Sequence, residues 1–515
     1  MRFLLVLMFA FSVIGNTRVT HAQGPTILEI ANAIHQHREG TEKEIVEDFI
    51  ELLSLPNVAT SLPDMQKNAE HIHKLLEPRG FEVRTLRSGG APYIFAELVT
   101  PGAEETVLVY AHFDGQPVQM ENWAYPPFSP TLLSATLQND GRPLDIANIS
   151  SGSFDPEWRI YARSAGDDKM PVIAIIHMLD ALRANNIDLS VNLKLILDGE
   201  EERGSPTLGQ VIDDNLHLFK ADLLLFCDGP MHQSRQPQLV FGVRGGRTLD
   251  VTTYGANRPL HSGHYGNWAP NPIMSMAYLL TSMRDETGRI LIDGYYDNVT
   301  ALTEKEITSI AAMPNIEEQL RDELSVNTPE GAGNRIEELV TLPALNARGI
   351  TGGGVGDQGR NIILSESTVS LNLRLVPGQQ PERIRQLIEG HVESQGFFIV
   401  HDEPTDEILR SNPKVVKLDW RGKGGPGLRT PMDGPVAQRL IQIMEEMTPK
   451  LILTPTMGGG LPLTAFADRM KTPIIVLPLA NHDNNQHGEN ENLRLQNLWD
   501  AMAVYGVVLA TFGRN

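Results

Sequence analysis

The sequence predicts an α/β fold, with a central mixed sheet interrupted by an inserted α+β layer. Three observations predict it. Strand-like and helix-like periods alternate along most of the chain, as they do in layered α/β architectures. Several apolar runs stop abruptly at acidic residues or histidines, and functional groups gather beyond strand ends in open α/β sheets. Between residues 241 and 429 the pattern changes to Gly-rich turns and a strand, helix, strand, strand, helix, strand succession.

Taken in order, residues 1–22 read as an export signal: Arg2, an apolar run over 3–14, then Thr20-His21-Ala22 as a small-residue cleavage site. This predicts a secreted or periplasmic protein with no stable membrane span after cleavage. Apolar residues at helical spacing predict helices over 44–53 and 64–76, the second stopped by Pro78-Arg79-Gly80. β-rich runs at 81–84, 93–99 and 106–110 predict strands, and the third leads into Ala111-His112-Phe113-Asp114. A helix is expected over 171–182, and buried strands over 191–197, 221–226 and 471–477. The insertion should hold strands at 247–254 and 368–376 and helices at 272–283 and 381–394. The chain therefore divides into 23–240 and 430–515 around an inserted domain at 241–429. The run 131–158, rich in Asn, Asp, Ser and Gly, reads as a solvated insertion rather than a loop over the site.

Composition narrows the function. At 515 residues the chain exceeds the roughly 250–300 residues over which one core keeps growing. With 41% hydrophobic and 21% charged residues, intrinsic disorder is excluded. Lys and Arg number 43 against 64 Asp and Glu, and a net charge of −21 argues against nucleic acid or an anionic membrane as partner. Cys227 is the only cysteine, so no intramolecular disulfide forms. Gly352-Gly353-Gly354-Val355-Gly356 lacks the Lys-Ser/Thr of a phosphate loop and is not read as a nucleotide site.

The chemistry sits at the strand ends. His112 and Asp114 stand two apart, so an extended backbone projects them to one face. Asp167 and Asp168 are adjacent carboxylates that repel unless a cation lies nearby. Glu200-Glu201-Glu202 follow a buried strand, Asp228 ends another, and His487 lies in a polar loop after a third. Each has a bland alternative: helix cap, solvated loop, turn residue or surface histidine. Together, two histidines and three carboxylates from five separate loops make the N/O ligand set of a two-metal hydrolytic site.

The blocks His112-Phe113-Asp114-Gly115-Gln116-Pro117, Asp167-Asp168-Lys169, Glu201-Glu202-Arg203-Gly204-Ser205, Asp228, Leu260-His261-Ser262-Gly263, Arg374-Leu375-Val376-Pro377 and His487 occur in that order. Through them the chain resembles the two-metal aminoacylase, carboxypeptidase and dipeptidase superfamily of metallopeptidases, most of all its carnosinase-like dipeptidases. The resemblance implies a dinuclear site of two divalent ions, zinc first, with manganese or cobalt also suited to these ligands. It implies that Asp167 bridges them, with His112 and Asp228 on one and Glu202 and His487 on the other. Glu201 is then the general base that deprotonates the bridging water, and Asp114 orients His112. The insertion becomes a ferredoxin-like lid through which homodimers form. It supplies His261 to the oxyanion, across the dimer in some relatives, and Arg374 to the substrate carboxylate.

Three departures from the family pattern are present: Ala162-Arg163-Ser164 where it has G-R-G, Met170 where it has Gly, and Gly460 where it has a serine. The first two predict a differently bent Asp167 loop, and the third removes a carboxylate contact. The expected activity is hydrolysis of an amide in a dipeptide or short peptide with a free C-terminal carboxylate. An N-acyl amino acid deacylase with the same site, and a metal-dependent binding protein without turnover, are the alternatives.

Overall fold

The computed structural model describes residues 24–514; the expected signal segment 1–22 lies outside them. An eight-stranded mixed sheet carries the catalytic half, in the order Glu82–Leu86, Tyr93–Leu98, Asn192–Asp198, Thr106–His112, Leu223–Phe226, Ile474–Val476, Gln238–Val240, Ile452–Thr454. Four neighbours in its middle run parallel: Thr106–His112 pairs with Asn192–Asp198 on one side and Leu223–Phe226 on the other, and Leu223–Phe226 pairs with Ile474–Val476. Their carboxyl ends therefore share one edge. Buried on both faces, these strands are near-continuous apolar runs, as parallel strands must be.

One face is covered by Ile27–Leu53, Met170–Ala184 and Leu495–Thr511, flanked by Leu62–Leu76 and Pro435–Met447. The other is covered by the short helices Leu208–Asp214 and Leu463–Ala467 around Phe219, Phe226 and Phe466. Ile27–Leu53 starts earlier than predicted, because Thr26 and Glu29 form a capping box and Ile27, Ile30 and Ile34 begin a buried stripe ahead of the polar stretch 35–44. Met170–Ala184 is buried over most of its surface, as is Leu495–Thr511.

The inserted segment forms a second sheet in the order Ala344–Thr351, Glu366–Leu375, Gly245–Tyr254, Val415–Gly425, Phe398–Val400. Its first four strands are antiparallel neighbours. With helices Pro272–Met283 and Pro381–Ser394 packed on it, this is the expected ferredoxin-like arrangement with one edge strand added. Both helices begin with Pro at the first turn, where the missing N–H costs nothing. The sequence analysis did not foresee Glu304–Ala312, Glu317–Leu324 and Ile336–Leu339 between helix and strand. The two halves are joined by the pair Gly242–Val243 and Leu428–Arg429.

The run 131–158 is more than a solvated insertion. Thr131–Leu133 joins a three-stranded sheet with Arg159–Tyr161 and Asn492–Arg494, and Glu42 accepts hydrogen bonds from the amides of Gly152 and Phe154. Phe154 and Leu132 add to the core. Alternating polar residues hid these anchors from the pattern.

Candidate metal centre and active site

His112 is the last residue of the central strand, and its imidazole is fully buried. Nε2 lies 2.8 Å from Asp167 Oδ1 and 3.9 Å from Asp228 Oδ2, while Nδ1 lies 3.4 Å from Asp114 Oδ1. The Asp114 carboxylate also accepts from the amides of Glu201 and Glu202, at 3.0 and 3.1 Å. One side chain thus fixes both the imidazole and the turn that carries the glutamates.

The second cluster shares Asp167. Its Oδ2 lies 3.2 Å from His487 Nε2, and that nitrogen lies 3.2 Å from Glu202 Oε2. Gln116 donates to the same Glu202 oxygen at 2.7 Å. His487 reaches Asp167 from a left-handed backbone position, φ 63°, which is uncommon outside glycine. Two groups of side chains can each hold a cation here: His112, Asp168 and Asp228 in one, and Asp167, Glu202 and His487 in the other. Ligand atoms within each lie no more than 4.8 Å apart.

The Asp167 loop is held from behind by Glu491. Its carboxylate accepts from the amides of Ser164, Gly166 and Asp167 and pairs with Arg163 at 2.7 Å. Ser164 has φ 62°, a conformation natural to the glycine of the family pattern. Here the side chain secures it, since Ser164 Oγ accepts from Asn57 and donates to the Asp114 carbonyl. The substituted loop therefore still brings Asp167 between the two histidines. Lys169 turns away, buried, and donates to the carbonyls of Leu52 and Leu55.

The electrostatics are those of a crowded acidic site. Burial pushes Glu201 up to about 9, and Asp228, Asp167 and Glu202 add to the shift against the opposing His112. Asp228 is pushed up to about 7, again first by burial. Burial opposes charge on His112, yet the carboxylates of Asp114 and Asp167 carry it well above the usual histidine range. The protein groups alone thus favour protonation of carboxylates that must be ionised to work. Divalent cations among imidazole nitrogens and carboxylate oxygens reverse that preference, so the donor set fits the metals the sequence implies.

Some of the chemistry was not foreseen. Asp168 was read as part of a motif only, yet its Oδ2 accepts from the His112 amide at 3.2 Å. Asp198, fully buried, accepts from Tyr110, Ser205 and the Glu200 amide. A carboxylate closing an apolar strand was the available signal for Asp198. Glu200 is anchored away from the cluster, by Tyr93 and Thr207.

The lid residues are placed differently. Arg374 lies beside Gly460, its Nη1 3.6 Å from where a Cβ on that glycine would stand. Arg244, which the sequence did not single out, donates to the Gly458 carbonyl at 3.2 and 3.3 Å. His261 is exposed at the end of a short antiparallel pair with Ile362–Ile363, and it belongs to neither of the two cation-holding groups. Its Nδ1 accepts from the Gly263 amide, which leaves Nε2 to carry the proton.

Residues 108–511 match the family model described as peptidase family M20/M25/M40. The chain belongs to this peptidase family. Among its relatives, the Cys-Gly metallodipeptidase of Schizosaccharomyces pombe is 24% identical over 424 residues, covering 80% of this chain and 81% of that protein. The Beta-Ala-His dipeptidase of Mus musculus is 27% identical over 422 residues, covering 79% and 77%. The M20 family metallo-carboxypeptidase of Sulfolobus solfataricus superposes with a TM-score of 0.73 at 25% identity, covering 91% of this chain and 99% of that one. The fold and the carnosinase-like resemblance are those of the M20 peptidases.

Proposed function

We propose that this chain is a metal-dependent peptidase that hydrolyses the amide bond of dipeptides or short peptides with a free C-terminal carboxylate. The observation that carries the reading is Asp167, whose two oxygens face separate groups, His112 on one side and His487 with Glu202 on the other. In this reading His112 and Asp228 would hold one divalent ion and Glu202 and His487 the other, with Asp167 available to both. When bound, such a pair lowers the pKa of a water molecule and polarises the scissile carbonyl. Glu201 takes the proton from the attacking water and returns it to the departing amine nitrogen. Asp114 keeps His112 oriented. Arg374 holds the substrate carboxylate, and His261, with its proton on Nε2, donates to the oxyanion.

Since His261 stands apart from its own chain's cluster, a homodimer supplies it across the lids. Trp268, Met274 and Tyr278 support this, because these large apolar side chains are exposed on the same lid. Zinc is the first choice of metal and export the expected fate. No helix among the described residues is long and apolar enough to cross a membrane.

The test is metal content per protomer, followed on the same sample by hydrolysis of dipeptides and N-acetyl amino acids with and without chelator. About two ions and chelator-sensitive dipeptide turnover support the reading. Preference for the N-acetyl series would make the chain a deacylase, and metal without turnover would make it a binding protein.

A further inference from the structure

A cavity of 370 Å³ lies beside the site, walled by the turn after Asp228, the run 454–458 and the lid segment 313–340. It meets the site at Met457 and Gly458. Met457 Cε lies 3.9 Å from where a Cβ on Gly229, next to Asp228, would stand. A Cβ on Gly458 would stand 3.1 Å from the Arg244 guanidinium and 3.4 Å from Val340. Two residues on, Gly460 adjoins Arg374. A substrate whose carboxylate rests on Arg374 therefore has the side chain of its C-terminal residue next to Met457 and Gly458, at the cavity.

The walls have a definite chemistry. Met231, Met313, Ile316, Ile336 and Val340 make an apolar sleeve. Beyond them, three buried acceptors have no hydrogen-bond partner among the described residues: Thr456 Oγ1, His482 Nδ1 and Glu337 Oε1. Thr456 is only 1% exposed. A buried polar atom left unpaired is costly, so a group that satisfies several at once is bound with that advantage. No lysine or arginine lines the cavity, while Glu323, Glu337 and Asp483 do. Asp483 is already taken by Arg159 at 2.7 Å, and one Glu337 oxygen by Arg335 at 3.1 Å. Burial holds His232 and His482 below the usual histidine range, so neither adds positive charge at neutral pH.

We infer that this cavity is the pocket for the substrate's C-terminal side chain and that it selects lysine or arginine there, the apolar stem in the sleeve and the cationic tip on Glu337 and Thr456. The inference rests on the peptidase reading above. Its chemistry is that of a long side chain with donors only at its end, which a leucine cannot supply and an aspartate opposes.

The test compares kcat/KM for Gly-Lys, Gly-Arg, Gly-Leu and Gly-Asp with the metal-loaded enzyme. Gly-Lys and Gly-Arg are expected to exceed Gly-Leu by about tenfold or more, the value of one hydrogen bond to a charged group, with Gly-Asp lowest. In Glu337→Leu the ratio of Gly-Lys to Gly-Leu falls towards one, and in Thr456→Val it falls part of the way. Gly-Leu or Gly-Asp matching Gly-Lys in the wild type overturns the pocket, as does a Glu337→Leu variant that lowers every dipeptide by one factor. If none of the four is hydrolysed, the peptidase reading fails separately. Equilibrium binding of Gly-Lys against Gly-Leu then decides the pocket, and equal affinities overturn it.

Discussion

The ends of the central strands and the lid are organised in opposite ways. At the strand ends His112, Asp114, Asp167 and Asp228 are buried, and neighbours that are themselves fixed hold each in place. On the lid, His261 is exposed and its ring meets only the Gly263 amide and His264 among the hydrogen bonds and ring contacts of the described residues, while Trp268, Met274 and Tyr278 stand exposed on the same lid. One region is assembled by folding alone. The other offers parts that need a further event, closure or a second subunit, to become useful. The division teaches where precision is required: the proposed metal ligands are set by folding before any substrate arrives, whereas the groups proposed to meet the substrate can arrive with it.

Four measurements would break or sharpen that contrast, the largest effect first. Glu201→Gln should lower kcat by about a thousandfold while metal content stays at wild-type stoichiometry, since the variant removes a proton carrier and no ligand. Loss of metal instead would make Glu201 part of the ligand set. His261→Ala should lower kcat by about a hundredfold, and mixing it with Glu201→Gln should restore activity if the histidine acts across subunits. Sedimentation showing only monomer, with full activity, would remove the trans role.

Arg374→Ala should act on KM rather than kcat, raising it roughly tenfold or more through the lost charged hydrogen bond. Dipeptide amides, which lack the carboxylate, should be indifferent to it. The smallest effect is on stability. Hydrogen bonds from Arg159 and Asn481 hold the Asp483 carboxyl below the usual aspartate range. A depressed folded-state pKa stabilises above the unfolded value, and the contribution is lost as pH falls from there through the lower folded-state value. Asp483→Asn should therefore melt a little lower at pH 7, and the gap in Tm should close as the pH drops below the unfolded value of 3.8. A constant gap would assign the loss to packing.

How much was legible before the structure follows the same contrast. Strand ends were legible because a parallel strand is apolar throughout and its first polar residue stands out, as His112 and Asp228 do. Helices Pro272–Met283 and Pro381–Ser394 were legible from a proline at one end and a regular apolar stripe. Ile27–Leu53 was only half seen, because the polar run 35–44 in its middle separates its first turns from the apolar spacing that follows. The part played by Glu491 was not legible at all. Its carboxylate collects amides from a loop more than three hundred residues away in sequence, and no local pattern records such a partner. The cavity beside Gly458 was hidden for the same reason, since its walls come from four separate stretches of chain.

The order of the strands in the main sheet also has a consequence for synthesis. Ile474–Val476 lies inside that sheet, and Leu495–Thr511 packs against both Ile27–Leu53 and Met170–Ala184. All of these late pieces emerge after the inserted segment. A ribosome that has completed the whole lid has thus still not supplied His487 or the helix that closes the core. The nascent catalytic half must wait, open and without His487, until the stretch 474–511 has left the exit tunnel. Chains cut short before Ile474 carry neither a finished sheet nor His487.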